Sequence, residues 1–229
     1  VAAPSFDWAT EEIRKPEIFG LQHFESIPLD VLATYIDWSP YFWAWQLHGV
    51  YPTIFNKPEV GTEAKKLFAD GKKMLEDIIA NKRFTSRAVA GFWPANSVGD
   101  DVEIYGDESR VEQIATFHFL RQQRQKKEGQ ICRSLSDNVA PKDSGRIDSF
   151  GGFAVSMGQE VEDYAATFRD AGDDYTAIIV QSLGDRLAEA SAEYLHKTLR
   201  HQCGIGQDEG FAAETKLDEE QAKFLIKEK

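Results

Sequence analysis

Apolar residues recur at intervals of three and four in two long segments of the chain. In the first, Leu67, Phe68, Gly71, Met74, Leu75, Ile78 and Ile79 form one stripe, and Lys65, Lys66, Lys72 and Lys73 lie off it. That spacing predicts an amphipathic helix opening at Gly61-Thr62, with Thr62 as its N-cap. In the second, residues 175–202, Tyr175, Ile178, Ile179, Ser182, Leu183, Arg186, Ala190, Tyr194 and Leu195 fall near one face. Shorter helices are expected at 26–38, where Leu29, Leu32, Tyr35 and Ile36 share a side, at the acidic stretch 159–171, and at 217–229. Between the long helices the pattern changes. Short apolar or alternating runs at 86–93, 102–105, 110–120 and 147–157 predict strands, the first ended by Pro94. Short turns join the first three, which predicts an antiparallel meander. Helices, a small sheet and helices again make an α+β chain. Residues 1–27, with Pro4 and Pro16, read as an arm wrapping the domain.

One stretch stands apart from both periods. Six of the fifteen residues from Tyr35 to Gly49 are aromatic, three of them tryptophan, and Asp37 sits among them. Ser39-Pro40 is a helix-start signal, because the Ser oxygen can accept from orphan N–H groups and Pro suits the first helical positions. Asp37 therefore lies in the joint between two helices, walled by rings. Two readings follow. Asp37 is a ligand-facing acid that pairs with an ammonium or sulfonium group, or it caps the next helix from a core-facing aromatic cluster.

Charge narrows the partners. The 229 residues carry a net charge of −12 and a pI of about 4.9. Such a chain lacks the broad basic footprint that nucleic-acid binding needs. Arg121 to Lys127 is locally basic and reads as a solvated loop or helix end. Cys132 and Cys203 are far apart and match no metal spacing, which suits a reducing, cytoplasmic setting. No apolar run approaches the roughly 18 residues that span a bilayer. The chain begins at Val1 without Met, which suggests a piece of a longer one. Phosphate-binding, nucleophile-elbow and zinc-protease motifs are absent, and His196 and His201, five apart, do not share a helical face. Asp185, Glu189 and Glu193 recur every four residues and share one. Carboxylates so stacked invite a cation or a basic partner, or form a solvated acidic face.

Several blocks, in order, carry a resemblance: YIDWSPYF, KLFADGKKMLEDII, GFWPANSVGDDVEIY, FLRQQ, DNVAPKDSG, GGFAV and DDYTAIIVQSLGDRLAEASAEYLH. From about residue 20 to the C-terminus the chain resembles the activation domain of cobalamin-dependent methionine synthase. The resemblance implies a twisted antiparallel sheet flanked by helices, an arm at 1–27 and an activation domain over 28–229 whose C-terminal part is absent. It implies an S-adenosylmethionine-binding module in an enzyme that moves a methyl group from methyltetrahydrofolate through cobalamin to homocysteine. There the module docks on the cobalamin-binding domain of the same parent chain. Flavodoxin or a flavoprotein reductase supplies the electron that helps restore an oxidised cofactor. Matched residue by residue, Asp37 corresponds to the acid that holds the ligand's amino group. Glu189 and Glu228 correspond to further acids near the cleft. No residue of the module serves as acid, base or nucleophile in the methyl transfer itself. The family's Arg-Pro-Ala-Pro-Gly-Tyr ligand run would fall beyond Lys229, so these 229 residues alone are expected to bind S-adenosylmethionine weakly. The alternatives are a non-enzymatic acidic docking module and a truncated structural remnant of that domain.

Overall fold

The computed structural model describes residues 4–127 and 129–206. In chain order its elements are β1 (Gly20–Ile27), α1 (Leu29–Ala33), α2 (Ser39–Trp43), α3 (Gly61–Ala80), β2 (Ser86–Val98), β3 (Asp101–Tyr105), β4 (Gln113–His118), β5 (Asp148–Ser156), α4 (Glu160–Asp170) and α5 (Asp174–Gln202). The strands form one five-stranded sheet in the order β1-β2-β3-β4, with β5 also paired to β2. The expected meander is present. Ala95 faces Ile104 and Val98 faces Asp101 across β2 and β3, and Asp101 faces His118 across β3 and β4, all antiparallel. The α+β class holds. The helix expected at 217–229 lies outside the described residues. No helix among the described residues is long and apolar enough to cross a membrane.

Three local expectations are corrected. The helix expected from residue 26 is instead a strand followed by a single short helix. Gly20, Gln22 and Phe24 are half-buried while Leu21, His23 and Glu25 are exposed, a period of two that makes β1. Pro28 then sets the start of α1, which ends at Ala33. Pro94 does not end β2: the ladder to β3 begins at Ala95, one residue later, so it needs no N–H from the proline. Helix α3 starts at Gly61 with no side-chain cap from Thr62. A Cβ at Gly61 would press on the backbone carbonyl of Phe55, so the helix entry needs glycine's bare backbone.

The chain packs as two compact units. One comprises residues 23–89 and 154–198. Its core takes Leu67, Leu75 and Ile78 from α3, as the stripe predicts, with Lys65, Lys66, Lys72 and Lys73 exposed. From α5 it takes Ile179, Val180, Leu183, Leu187, Ala190 and Leu195, whereas Tyr175 and Ile178 stand 39% and 42% exposed. The buried stripe of α5 is thus rotated from the expected one. The aromatic stretch supplies the rest: Trp38, Tyr41 and Phe42 are buried against Phe55 and Phe68, mostly edge to face. Ser86 and Ser191, both fully buried, satisfy each other through a 2.9 Å hydroxyl pair.

The other unit comprises residues 4–22, 90–153 and 199–205. Ala95, Val102, Ile104 and Val139 form its core, with Trp93, Phe119 and Phe150 packed against them. Residues 8–11 of the N-terminal segment are held here by one side chain, while Arg14, Lys15 and Glu17 are tied to Gly204, Glu108 and Gln202. The Arg146 guanidinium donates to the carbonyls of Trp8 (2.7 Å), Ala9 (3.2 Å) and Glu11 (3.1 Å). The carbonyl of Arg146 is in turn held by the fully buried Asn96 at 2.8 Å. Hydrogen bonds from charged donors are worth about 1.5–3 kcal/mol. Arg146→Met is therefore expected to speed amide exchange across residues 8–11 by about tenfold or more, leaving β3 and β4 protected. Unchanged exchange in that segment would show that the arm is held by other contacts.

Candidate functional site

Asp37 lies between α1 and α2, flanked in sequence by Ile36 and Trp38, which are 8% and 6% exposed. Its own side chain is exposed. Oδ1 accepts the backbone N–H of Ser39 at 2.9 Å, closing an Asx turn at the entry to α2. The expected cap is thereby exchanged. Asp37, not Ser39, takes the helix-entry N–H, and the Ser39 hydroxyl accepts from the N–H of Tyr51 at 3.2 Å. Tyr35 packs edge-on against Tyr194 of α5, with ring centroids 5.8 Å apart. The joint is therefore fastened on both sides, and the carboxylate stands out from a buried aromatic base. The two sequence readings of Asp37 are compatible: one oxygen organises the helix entry, and the side chain still faces solvent.

Glu189 lies on α5, half exposed, and pairs with Arg186 three residues before it through Oε2. Asp185 is exposed on the same helix and Glu193 is half-buried, so the acid row is only partly in solvent. Glu228 lies outside the described residues. The basic stretch at 121–127 is the loop expected, with residues 122–125 and 127 exposed, but two of its cations turn inward. Arg121 is 14% exposed and bonds Asp100, Asp137 and the carbonyl of Cys132, and Lys126 bonds Gln122 and the carbonyl of Ile131. Arg121 is thus tied to aspartates of two other segments, and Lys126 to residues nearby in the chain.

The structure adds a feature that spacing does not reveal. A cleft of about 620 Å³ is lined by Ser156, Gly158, Gln159, Val161, Glu162, Gln181 and Asp185. Its residues come from the end of β5, the start of α4 and the middle of α5, and no sequence motif joins them. Within it Glu162 already accepts from Gln181 at 2.9 Å and pairs with Arg169.

Burial, before any other cause, pushes the phenols of Tyr41, Tyr105, Tyr164 and Tyr175 up, Tyr175 to about 12. Hydrogen bonds hold Asp77, Glu103, Asp107, Asp137, Glu160, Glu162 and Asp173 below the ordinary carboxylate range. Asp148 alone among the shifted carboxylates is raised, by burial, and it accepts backbone N–H groups of Ala140 and Ser149. Every other shift moves a group away from neutrality, so none of those groups is poised as a general acid or base near pH 7. Among the described residues no three His, Cys, Asp or Glu side chains are grouped to hold a metal.

An open antiparallel sheet with two long helices, presenting surface carboxylates from a rigid aromatic base, defines a module suited to binding. The chain matches over residues 28–223 the family described as "Vitamin B12 dependent methionine synthase, activation domain", and it belongs to that family. It is also similar to a solved structure, the "Crystal Structure of the MetH Reactivation Domain bound to AdoHcy". The identity is 42%, the TM-score 0.85, and the match covers 98% of this chain and 67% of that one.

Proposed function

We propose that this chain is the S-adenosylmethionine-binding reactivation module of a cobalamin-dependent methionine synthase, a cytoplasmic methyltransferase. In that role it supports reductive methylation of cob(II)alamin within methyl transfer from methyltetrahydrofolate to homocysteine. Residues 28–229 belong to the activation module and 1–27 to its arm. The cobalamin-binding domain of the parent chain is its docking partner, and flavodoxin or a flavoprotein reductase is its electron donor. The observation that carries the reading is the likeness, at 42% identity, to a reactivation domain that holds AdoHcy.

The residues present fit a cationic ligand. Asp37 offers an exposed carboxylate whose orientation is set by the Ser39 N–H and by buried neighbours. Glu189 offers a second, tethered by Arg186. These two, with Glu228, would hold S-adenosylmethionine through its ammonium and sulfonium charges. When bound, it supplies the methyl group. The chain's own part is to bind and orient it.

The test is Asp37→Asn in the full-length protein. This change keeps the shape and an acceptor for the Ser39 N–H while removing the charge. A charge-assisted bond is worth about 1.5–3 kcal/mol, so calorimetry should show S-adenosylmethionine binding weakened roughly 10- to 100-fold. An unchanged affinity would remove Asp37 from the site.

A further inference from the structure

We propose that Arg186 is a positioning residue that orients Glu189 toward the ligand's cationic group, an inference that rests on the assignment of Glu189 to the S-adenosylmethionine cleft. The two side chains lie three residues apart on α5, and an Arg186 Nη1 donates to Glu189 Oε2. Their exposures are unequal: 17% for Arg186 against 51% for Glu189. The arginine side chain is thus largely covered, and the glutamate stands out into solvent. The pairing restricts the rotamers of the exposed Glu189. An ion pair of this kind on a helix surface adds little to stability, so its consequence is geometric. Pairing engages Oε2, and Oε1 is the oxygen assigned to the ligand. Asp37 follows the same plan, with Oδ1 tied to the Ser39 N–H. Asp37 and Glu189 are thus each held by one oxygen.

Arg186 also carries a positive charge beside a site meant for a cation, and that acts in the opposite direction. At several ångströms in a water-exposed setting, the repulsion is worth roughly a factor of two to three in affinity. Holding a glutamate that would otherwise sample several rotamers is worth about tenfold. Positioning therefore wins, and the sign of the effect separates the two roles.

The experiment uses the full-length protein and calorimetric titration with S-adenosylmethionine and with S-adenosylhomocysteine, whose sulfur is uncharged. Arg186→Met is expected to weaken S-adenosylmethionine binding about tenfold and S-adenosylhomocysteine binding less. Arg186→Lys, which keeps a donor at the same place, should recover part of the loss, and it carries the test if the methionine variant does not fold. The double variant Arg186→Met/Glu189→Gln should bind no more weakly than Glu189→Gln alone, because the arginine favours binding only through the glutamate. If Glu189→Gln weakens binding but Arg186→Met leaves it unchanged or tightens it, Arg186 is a screening charge and the proposal fails. If Glu189→Gln itself changes nothing, the assignment of Glu189 fails and the proposal with it.

Discussion

Replacing Tyr41 with alanine is expected to destabilise the protein by about 3–5 kcal/mol, the range for deleting a large buried aromatic side chain. Tyr41 is fully buried and meets Trp38 at 5.3 Å and Phe42 at 5.7 Å between ring centroids, both edge to face. It also lies against Gly71, where an added Cβ would collide with its hydroxyl and ring. The helix and the ring are thus fitted to each other, and neither can be changed alone. Two companion variants make the test specific. Tyr41→Phe keeps the ring and loses only the 3.2 Å bond to the carbonyl of Leu67, so about 1 kcal/mol is expected. Gly71→Ala should give none of the roughly 1 kcal/mol that alanine gains over glycine inside a helix, because its methyl group displaces Tyr41. Urea unfolding followed by circular dichroism measures all three. A loss below about 1 kcal/mol for Tyr41→Ala would contradict the packing described.

The second large effect is expected at Arg121→Met, a clear loss of stability, because one half-buried guanidinium serves two aspartates. Arg121 bonds both Asp100 and Asp137, and the Asp137 side chain is only 10% exposed. Removing the guanidinium leaves a carboxylate in a poorly solvated place, with the backbone N–H of Ser134 still donating to it. The pH dependence identifies the cause. The hydrogen bond from Arg121, ahead of other influences, holds the Asp137 carboxyl below its ordinary value. Its contribution is therefore fully present above the unfolded-state pKa, near 3.9, and is lost as pH falls through the folded-state value. The gap between wild type and Arg121→Met should be widest near neutral pH and narrow in acid. A gap that stays constant down to pH 2 would assign the loss to packing instead.

These two side chains show where local pattern stops being informative. The stripe on α3 was legible because helical periodicity belongs to the backbone. Residues three and four apart share a face whatever surrounds them, and Leu67, Leu75 and Ile78 are buried as that rule requires. The meander was legible for the same reason, since short turns between alternating runs leave few pairings open. Family membership was legible from ordered blocks such as YIDWSPYF, and Asp37 was singled out with them. Helix α5 was read only in part. It offers apolar residues on more than one side, and which side is covered depends on what packs there, so Tyr175 and Ile178 face outward while Val180 and Leu187 are buried.

The aromatic joint shows both kinds of information in one place. Its helix-start chemistry and its acid are properties of adjacent residues, and the Asx turn from Asp37 to Ser39 spans only two positions. That Trp38 and Tyr41 are buried while Trp43 is half exposed depends on Phe55, on Phe68 and on the rest of α3, which arrive from elsewhere in the chain. The same division holds for charge. Sequence shows that Arg121 and Arg186 are cations, and their chemistry follows from neighbours: two aspartates brought in from separate loops for one, a glutamate one turn away for the other. Periodicity and short turns act over a few bonds, so they are written in order along the chain. Burial, ion pairing and the choice of helix face act through space, and they exist only once distant segments have met.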